Sequence, residues 1–434
     1  NSPINRVQIN LTSPLQINVD TGSLLSASQL PVTIQPITAA ITMSDIQYQE
    51  HRIQTSPIKV ELTKIKLTPL EVNAIIHPAT FSTENNSLPT VTLSSKITLH
   101  KSTLTTQFKV NSTLPSLSLQ GKSSTDLNKN RSDISWKLQP APLANIENSL
   151  SAYIQIPAEL SIHKGTLFHN GSARLRNGKL STQLYNSIQQ ADLSWDQAEI
   201  LGANWNSATA IAPQGNIRDK GSIKVNSFIQ GVEINKISSE YQFKQQGTQQ
   251  TLQVSEVQAS LLEGHVNLSP FEFNLHNPSF DAQATLTNLD LGALLSLEQQ
   301  QGLSGEGKLS GSFPATYKNG ALSIADGGLK ALDPGGKIRF QPNAAVATYA
   351  AGNSGLKMAL NALENFHYEQ LEVKLDYAPD GTAYLQTHLK GKNPDWNNGQ
   401  RMDFNINIEE NIPQLLKTLQ FTDKLTETIE KRYR

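Results

Sequence analysis

The residues whose types and spacing come closest to a known chemical site lie in the glycine-rich segment Gly302–Leu309. As far as Lys308 the segment fits a phosphate-binding loop, in which backbone N–H groups cradle the phosphates and the lysine contacts them. Leu309 stands where such a loop needs the Ser or Thr whose hydroxyl holds magnesium. A phosphate loop also follows a strand and opens a helix, whereas this segment follows a predicted helix. We therefore interpret it as a glycine-rich turn between sheet segments.

Other residue patterns that support catalysis or metal binding are missing from the sequence. The nine histidines are scattered, no pair has the i, i+4 spacing of a helical metal site, and no G-x-S-x-G nucleophile elbow occurs. His163 and His169 flank a predicted turn, which indicates surface positions. The chain has no cysteine, so disulfides and a cysteine nucleophile are excluded. We predict no catalytic residue, no metal site and no cofactor, and hence a protein that is not an enzyme.

The composition argues against two further classes of protein. The 434 residues carry a net charge of −1, whereas a nucleic-acid-binding protein needs a basic excess to replace counterions. No apolar run reaches the length of about 18 residues that a membrane-spanning helix needs. Hydrophobic residues make up 37% and charged residues 17% of the chain, and much of the rest is Ser, Thr, Asn and Gln. This mixture is typical of β-sheets with one solvated face.

The dominant pattern along the chain is strict alternation of apolar and polar residues. Within Arg401–Glu409, one face carries Met402, Phe404, Ile406 and Ile408, and the other face is polar. Such a segment is a strand with one apolar face. The alternation recurs at Val7–Leu11, Ile58–Leu62, Phe271–Leu275, Ile338–Phe340 and Leu371–Tyr377. Its spacing predicts on the order of 25 to 30 strands, and the lack of long crossover helices favours an antiparallel sheet.

Turn signals and a few helical segments interrupt the strands. Dipeptides that tolerate positive φ predict hairpin turns at Asn170-Gly171, Asn177-Gly178, Asn319-Gly320 and Asp380-Gly381. Helices are predicted over Leu291–Gln301 with Asp290 as the cap, through Leu356, Leu360, Leu363 and Phe366, and over Ile412–Tyr433 with Pro413 in the first turn. We interpret these helices as elements that cap or plug the sheet.

An ordered set of short motifs towards the C-terminus carries a family resemblance. The motifs are Leu291–Leu295, Gln299–Gly307, Leu309–Pro314, Asp326–Leu329, Pro334–Gly336, Tyr377–Gly381, Leu389–Pro394 and Asn411–Leu416. As a set they resemble the C-terminal region of the YdbH-type branch of the AsmA-like family of bacterial envelope proteins. Residues 1–290 match no single motif of that family and share only its repeated amphipathic strands.

This resemblance implies both a fold and a function. The implied fold is a long, curved antiparallel sheet that forms an elongated groove with an apolar lining. The implied function is a non-enzymatic bridge in the periplasm of a Gram-negative bacterium, carrying phospholipid between the inner and outer membranes. Two attachments follow from the family: an inner-membrane helix N-terminal to this chain, and a small outer-membrane lipoprotein that adds a β-strand near the C-terminal end. The expected regions are a groove at 1–290, a family-specific β region at 291–410 and an amphipathic helix at 411–434.

A lipid groove needs continuous rows of apolar side chains, because each buried methylene contributes about 0.8 kcal/mol and a few polar contacts cannot replace them. The residues predicted to line the groove are Val60, Leu62, Phe271, Phe273, Ile338, Phe340, Leu371, Val373, Leu375, Phe404, Ile406 and Ile408. The strand at 401–409 is long, regular and free of Pro, so we predict that a partner strand docks there, beside Met402, Phe404, Ile406 and Ile408.

Two other hypotheses stay open on the residues alone. A structural or adhesin-like β scaffold would seal its apolar face with its own side chains. An enzyme acting on envelope polysaccharide would need a polar cleft with aromatic platforms, for which the sequence offers only Trp136, Trp195, Trp205 and Trp396. Whether the apolar face is open or sealed separates the scaffold from the lipid conduit.

Overall fold

The computed structural model describes residues 4–11, 17–19, 32–34, 37–48, 51–55, 58–67, 70–82, 87–112, 117–150, 157, 159–297 and 302–419. These residues form mainly β-strands joined by short turns, with a few short helices. The predicted fold class, a mainly β protein built from an antiparallel sheet, is confirmed. The chain divides into two compact units, Asn1–Leu193 with Trp205–Asp219 and Ser194–Asn204 with Lys220–Arg434. The three regions expected from the sequence stay a prediction.

Many strands of the first half are long, and β13 and β14 have 17 residues each, against a usual length of about five or six. They are β1 (Ile4–Leu11), β2 (Ile17–Val19), β3 (Val32–Ile34), β4 (Ile37–Tyr48), β5 (His51–Thr55), β6 (Ile58–Leu67), β7 (Leu70–Ser82), β8 (Ser87–His100), β9 (Thr103–Ser112), β10 (Ser118–Asp126), β11 (Arg131–Leu138), β12 (Ala141–Pro142), β13 (Leu160–Arg176), β14 (Lys179–Trp195), β15 (Ala198–Ile211) and β16 (Ile217–Gln230).

The strands of the second half are shorter on average. They are β17 (Val232–Gln246), β18 (Gln249–Val254), β19 (Val257–Leu261), β20 (Gly264–Leu268), β21 (Phe271–Asn274), β22 (Ser279–Asp290), β23 (Leu303–Glu306), β24 (Lys308–Lys318), β25 (Ala321–Ala331), β26 (Gly336–Phe340), β27 (Phe366–Tyr377), β28 (Thr382–Lys392) and β29 (Arg401–Asn411). This number of strands agrees with the expectation from the alternating pattern. The interpretation of Gly302–Leu309 as a glycine-rich turn is wrong, because Leu303–Glu306 forms β23 and β24 begins at Lys308.

Neighbouring strands of the first unit pair antiparallel in chain order from β6 to β11, and β11 then pairs with β13. The alternation in the sequence decides which side chains share a face. In β9, half-buried Leu104, Phe108 and Val110 alternate with exposed Thr105 and Gln107. One face of this unit is therefore apolar and the other polar.

The second unit is also an antiparallel ladder. Its pairs run from β20 to β22, β24, β25, β27, β28 and β29, and β17 pairs with both β18 and β19. Its hydrophobic core lies where short helices pack on β22, β24, β27 and β28. The core residues are Leu289, Leu291, Leu309, Ala362, Phe366, Tyr368, Leu371 and Leu389.

The helices are α1 (Leu143–Leu150), α2 (Leu291–Ser296), α3 (Ala344–Ala351), α4 (Ser354–Leu363) and α5 (412–419), with a 3₁₀ turn at Asn397–Gly399. The predicted cap of α2 is confirmed, because the Ala293 N–H donates to the Asp290 carboxylate. The helical assignment of Phe366 is wrong: it pairs with Ile338 in the sheet, where its buried ring joins the core. Residues 298–301 and 420–433 of the predicted helices lie outside the described residues. Among the described residues, no helix is long and apolar enough to cross a membrane.

Three of the four predicted hairpin turns are confirmed. Asn177-Gly178 joins β13 to β14, Asn319-Gly320 joins β24 to β25, and Asp380-Gly381 joins β27 to β28. The turn at Asn170-Gly171 is wrong, since both residues lie within β13. There Gly171 meets a ring from the neighbouring strand, so its lack of a side chain serves packing and not positive φ.

Candidate functional site

The apolar face of the first unit is built from cross-strand rows of side chains. The central row crosses β6 to β13 through Leu62, Ala74, Ser95, Phe108, Gly121, Trp136 and Gly171. Flanking rows on the same face contain Val72, Ile97, Ile134 and Ala173 on one side, and Leu93, Val110, Leu119 and Leu138 on the other. The predicted lining residues Val60 and Leu62 lie on this face, in β6.

This face is only partly shielded from solvent. Its large apolar side chains, such as Leu93, Phe108 and Val110, are half-buried. Among the described residues of the three rows, Ala74, Ala173 and Ile65, which pairs with Val72, fall below one tenth exposure, at 7%, 8% and 9%. A closed β-sandwich core would cover such large side chains on both sides. The described part of the first unit therefore presents an open apolar surface.

Aromatic rings lie flat over glycines of the next strand on this face. A Cβ atom at Gly121 would collide with the Phe108 ring, and one at Gly171 would collide with the Trp136 indole. The second unit repeats the arrangement, with Tyr241 against Gly221 and Phe313 against Gly327. A ring that lies down on a glycine covers the strand without standing up from the sheet. The glycines thereby let the rings pack close to the sheet, so that the rings project little from the apolar face.

One histidine belongs to the apolar face of the first unit. The Trp136 indole N–H donates to His169 Nε2 at 2.8 Å, and His169 Nδ1 lies 2.7 Å from Asn186 Oδ1. This geometry requires the neutral imidazole, with Nε2 accepting and Nδ1–H donating to the amide oxygen. The predicted turn beside it is wrong, because His163 and His169 both lie within β13, and His169 is half-buried. The polar chain fixes the indole over Gly171.

The second unit has an aromatic cluster of its own. Phe280 stacks on Phe271 at a centroid distance of 4.1 Å and on Tyr317 at 5.4 Å, and Phe273 lies 5.6 Å from Phe280. The predicted lining residues Phe271 and Phe273 thus lie together in this cluster. All four rings are half-buried, so the cluster forms a second partly open apolar surface.

Several of the predicted lining residues near the C-terminus belong to the closed core instead of an open surface. Leu371 is 4% exposed, Phe404 packs edge-on against Phe366 at 5.4 Å, and Ile338 and Val373 pack at the core's rim. Helix α4 contributes the buried Ala362 to the same core. A lining role for these residues stays a prediction, and the packing shows that each also stabilises the fold. Phe340, in β26, is half-buried and pairs with Leu303.

The apolar face emerges from this core towards the far end of β27–β29. Leu375 is half-buried, while Ile406 is 38% and Ile408 is 47% exposed. The register places Leu375 beside Leu385, and Leu385 beside Ile408, in one row. Strand β29 pairs with β28 over its whole length, and no strand of the described residues pairs with its other edge.

Helix α5 crosses this end of the second unit. The Ile412 N–H donates to the Gly381 carbonyl at 3.1 Å, which ties the helix start to the β27–β28 turn. Its other end reaches the β16–β17 turn, where a Cβ at Gly231 would lie 2.6 Å from the Leu416 carbonyl oxygen. Leu419 is buried. The described part of the predicted C-terminal helix thus spans two turns of the sheet.

Electrostatics in the core of the second unit are structural. The backbone N–H of Ala293 and the Lys308 ammonium, 3.1 Å from Oδ2, lower the pKa of Asp290. Burial, with a smaller effect of the Asp290 charge, raises the pKa of Tyr368 to about 12, and its hydroxyl donates to the Glu306 carbonyl at 3.0 Å. Among the described residues, no group of three or more His, Asp or Glu side chains could hold a metal ion.

These features define an antiparallel β-sheet protein that exposes apolar sheet faces. The family model of YdbH-like proteins, described as intermembrane phospholipid transport protein YdbH, matches residues 4–434, and the chain belongs to this family. The resemblance carried by the C-terminal motifs is confirmed and extends to the first 290 residues. The family transports phospholipid between membranes, which implies a location in the periplasm of the bacterial envelope. No curated protein and no solved structure matches the chain.

Proposed function

We propose that the chain carries phospholipid with the acyl chains lying on its half-exposed apolar faces. The observation that supports this most directly is the set of three rows across β6–β13, where large apolar side chains stay accessible. Transfer of a 16-carbon acyl chain into water costs about 12 kcal/mol at 0.8 kcal/mol per methylene. Leu, Ile, Val and Phe side chains recur along the three rows and offset that cost, so that a lipid meets no deep trap.

Lipid occupancy tests the proposal. The chain is purified from bacterial membranes, freed of detergent and analysed by native mass spectrometry with lipid extraction. We expect phospholipid to copurify, and to be lost when Val110, on the apolar face of β9, is replaced by Asp. The matched control is Gln107→Asp, which places the same charge on the polar face of the same strand. A folded wild-type chain that never carries lipid would favour the sealed scaffold.

The second unit allows the same test near its exposed end. Ile408→Asp is preferred to Phe404→Asp or Val373→Asp, because Phe404 and Val373 pack against the core and a charge there would also unfold it. Asn407→Asp, on the polar face of β29, is the control. An enzyme acting on envelope polysaccharide is not favoured by membership of a transport family.

We further propose that the free edge of β29 receives a strand from a small outer-membrane lipoprotein. Its length of 11 residues, its lack of Pro and the exposed Ile406 and Ile408 beside the edge support this. An unpaired edge offers backbone N–H and C=O groups to an incoming strand. Anchoring in the inner membrane by a helix N-terminal to this chain stays a prediction of the family resemblance.

A photo-crosslinking amino acid tests the edge. Placed at Asn407 in cells, it should crosslink to a lipid-modified outer-membrane protein, identified by mass spectrometry. Placed at Gln386, the cross-strand neighbour of Asn407 on β28, it should not. Equal crosslinking from both positions would reject docking by strand addition at this edge.

A further inference from the structure

The polar face of the first unit carries a regular series of lysines. Strands β8, β9, β10 and β11 each place one on this face, namely Lys96, Lys109, Lys122 and Lys137, which we call the lysine ladder. The register sets Lys96 opposite Gln107, Lys109 opposite Gln120, and Lys122 opposite Ser135. Adjacent strands lie about 4.8 Å apart, so the ammonium groups zigzag across the sheet in two rows.

Arginines extend the basic surface on to β13. Arg176 contacts the Asp133 carboxylate through Nη2 at 2.9 Å, Arg131 through Nε at 3.2 Å, and Arg174 lies at 3.6 Å. The hydrogen bond from Arg176, with Arg131 beside it, lowers the pKa of Asp133, which therefore stays ionised. One carboxylate faces three guanidinium groups, so the cluster keeps an excess of positive charge.

The excess of positive charge is local to this part of the chain. Residues 87–138 contain seven Lys or Arg residues and only Asp126 and Asp133 as acids, although the whole chain has a net charge of −1. Ladder residues Lys109, Lys122 and Lys137 are exposed, and their cross-strand neighbours are Ser, Gln or Asn. None of these three lysines therefore has a carboxylate directly opposite it, so their charges remain available to an anionic partner.

The second unit shows how the same chain neutralises charge elsewhere. On the polar faces there, Lys330 pairs with Glu372 at 3.2 Å across two strands, and Lys390 pairs with Asp403 at 3.5 Å. Arg401 pairs with Glu369 at 3.2 Å. Opposite charges lie on adjacent strands in that unit. Lys96 follows this pattern, with Glu71 of β7 at 3.6 Å, whereas no carboxylate of the described residues pairs with Lys109, Lys122 or Lys137.

The side chains around the ladder indicate the chemistry of the missing partner. They are small and polar: Ser94, Thr98, Thr105, Gln107, Gln120, Ser124 and Ser135. A concavity of about 700 Å³ is lined by four cations, Lys96, Lys122, Arg131 and Arg174, and one carboxylate, Asp133, among these hydroxyl groups. Protein partners are usually held by large aromatic or apolar anchors, and membrane surfaces by an inserted apolar face. A hydrated polymer that carries carboxylates and hydrogen-bonding groups fits this surface better.

We propose that the lysine ladder holds the chain against the carboxylate-bearing glycan–peptide polymer of the cell wall, peptidoglycan. A periplasmic chain of a family that works between two membranes shares its compartment with this polymer. Salt bridges between exposed ammonium groups and the peptide carboxylates would be individually weak and reversible. Several together would hold the polar face to the wall while leaving the apolar face clear.

Cosedimentation of the 434-residue chain with purified peptidoglycan sacculi tests the proposal. The variant replaces Lys109, Lys122 and Lys137 with Gln. The matched control replaces Lys220, Lys224 and Lys244, three exposed lysines of the second unit, and so removes the same charge. We expect the ladder variant to bind about tenfold more weakly at low salt, and the control variant to bind like the wild type. Wild-type binding should fall steeply towards about 0.3 M salt.

Two further ligands separate the sources of negative charge. Sacculi whose carboxylates have been converted to neutral amides should no longer bind the chain. Vesicles of phosphatidylethanolamine with phosphatidylglycerol should bind no better to the wild type than to the ladder variant. Equal binding of both lysine variants to sacculi would overturn the proposal, as would retention by amidated sacculi. Ladder-dependent capture by the vesicles alone would assign the surface to membranes instead. Phospholipid copurification is measured in a separate experiment. A negative result there does not affect the interpretation of binding to sacculi.

Discussion

At the residue scale, the packing of the apolar face depends on glycines, because they have no Cβ atom. Gly121 lies beneath the Phe108 ring, and any Cβ there would push the ring up from the sheet. We therefore expect Gly121→Ala to destabilise the chain by about 1–3 kcal/mol, the usual cost of overpacking. The measurement is urea unfolding followed by tryptophan fluorescence, since Trp136 lies on the adjacent strand.

The cause can be separated from a general effect of alanine. Phe108→Leu in the same chain removes the ring and should recover part of the loss, because a Cβ at Gly121 would still lie 2.5 Å from the Ser135 carbonyl oxygen. Ser123→Ala, two residues along β10 on the same face, should have little effect. A loss in Gly121→Ala that persists in full without the ring would mean that the clash with the Ser135 carbonyl, and not the ring, requires the glycine.

The lowered pKa of Asp290 predicts how the stability of the fold changes with pH. Its folded pKa lies below the ordinary value of 3.8, because the Ala293 N–H and Lys308 favour the ionised form. The stabilisation is therefore fully present above pH 3.8 and is lost as the pH falls through the folded pKa. Asp290→Asn keeps a capping oxygen but no charge, so it should cost about 1 kcal/mol at neutral pH and less in acid. A stability gap that is constant down to about pH 2 would contradict this.

Residue patterns in the sequence predicted which side chains share a face of the sheet, but not how deeply each side chain is buried. Leu371 and Ile408 belong to the same kind of alternating strand, and both were correctly assigned to the apolar face. One is 4% and the other 47% exposed. The difference comes from long-range packing of α2 and α4 over one end of the face. Such packing depends on contacts between residues distant in sequence. The alternation of apolar and polar residues carries no information about those contacts.

At the element scale, α5 depends on a turn far from it in sequence. Gly231, between β16 and β17, has φ +72° and lies against the Leu416 backbone. Gly231→Ala should therefore displace the end of α5. Hydrogen–deuterium exchange of the amides of residues 416–419 should accelerate by about tenfold, because the displaced turn opens more often.

A neighbouring turn supplies the matched control for that substitution. Gly247, between β17 and β18, has a similar φ of +58° but nothing within 4 Å of the added methyl group. Gly247→Ala carries the same left-handed backbone strain, of about 1 kcal/mol. It should leave exchange in α5 unchanged. Faster exchange in both variants would trace the effect to general destabilisation and not to the contact with Leu416.

Element types were more predictable than their connections. Alternation fixed the strands and their antiparallel pairing, and Asp290 marked the start of α2. Asn170-Gly171 has the same composition as the true turn at Asn177-Gly178, yet it lies inside β13 because Trp136 packs on Gly171. The dipeptide states only that positive φ is tolerated. Whether the chain turns there depends on the neighbouring strand, which the local sequence does not specify.

At the scale of the whole molecule, the polar and apolar faces have separable roles. Family membership gives phospholipid transport, and the half-exposed rows give a surface on which acyl chains are stabilised. The lysine ladder lies on the opposite face of the same strands, because successive side chains in a strand point to opposite sides. Changes to the ladder should therefore alter wall binding and leave lipid binding intact, while Val110→Asp should do the reverse.

The last test places one charged variant in each unit. It asks whether a transported lipid must pass over both apolar faces, one after the other. Val110→Asp lies in the first unit and Ile408→Asp in the second. Along a serial path, either charge alone should reduce phospholipid transfer between donor and acceptor vesicles to near background, since desolvating an unpaired charge costs several kcal/mol. The double variant should then be no slower than either single variant. Independent sites would instead give partial losses that combine in the double variant, and Gln107→Asp and Asn407→Asp should transfer lipid like the wild type.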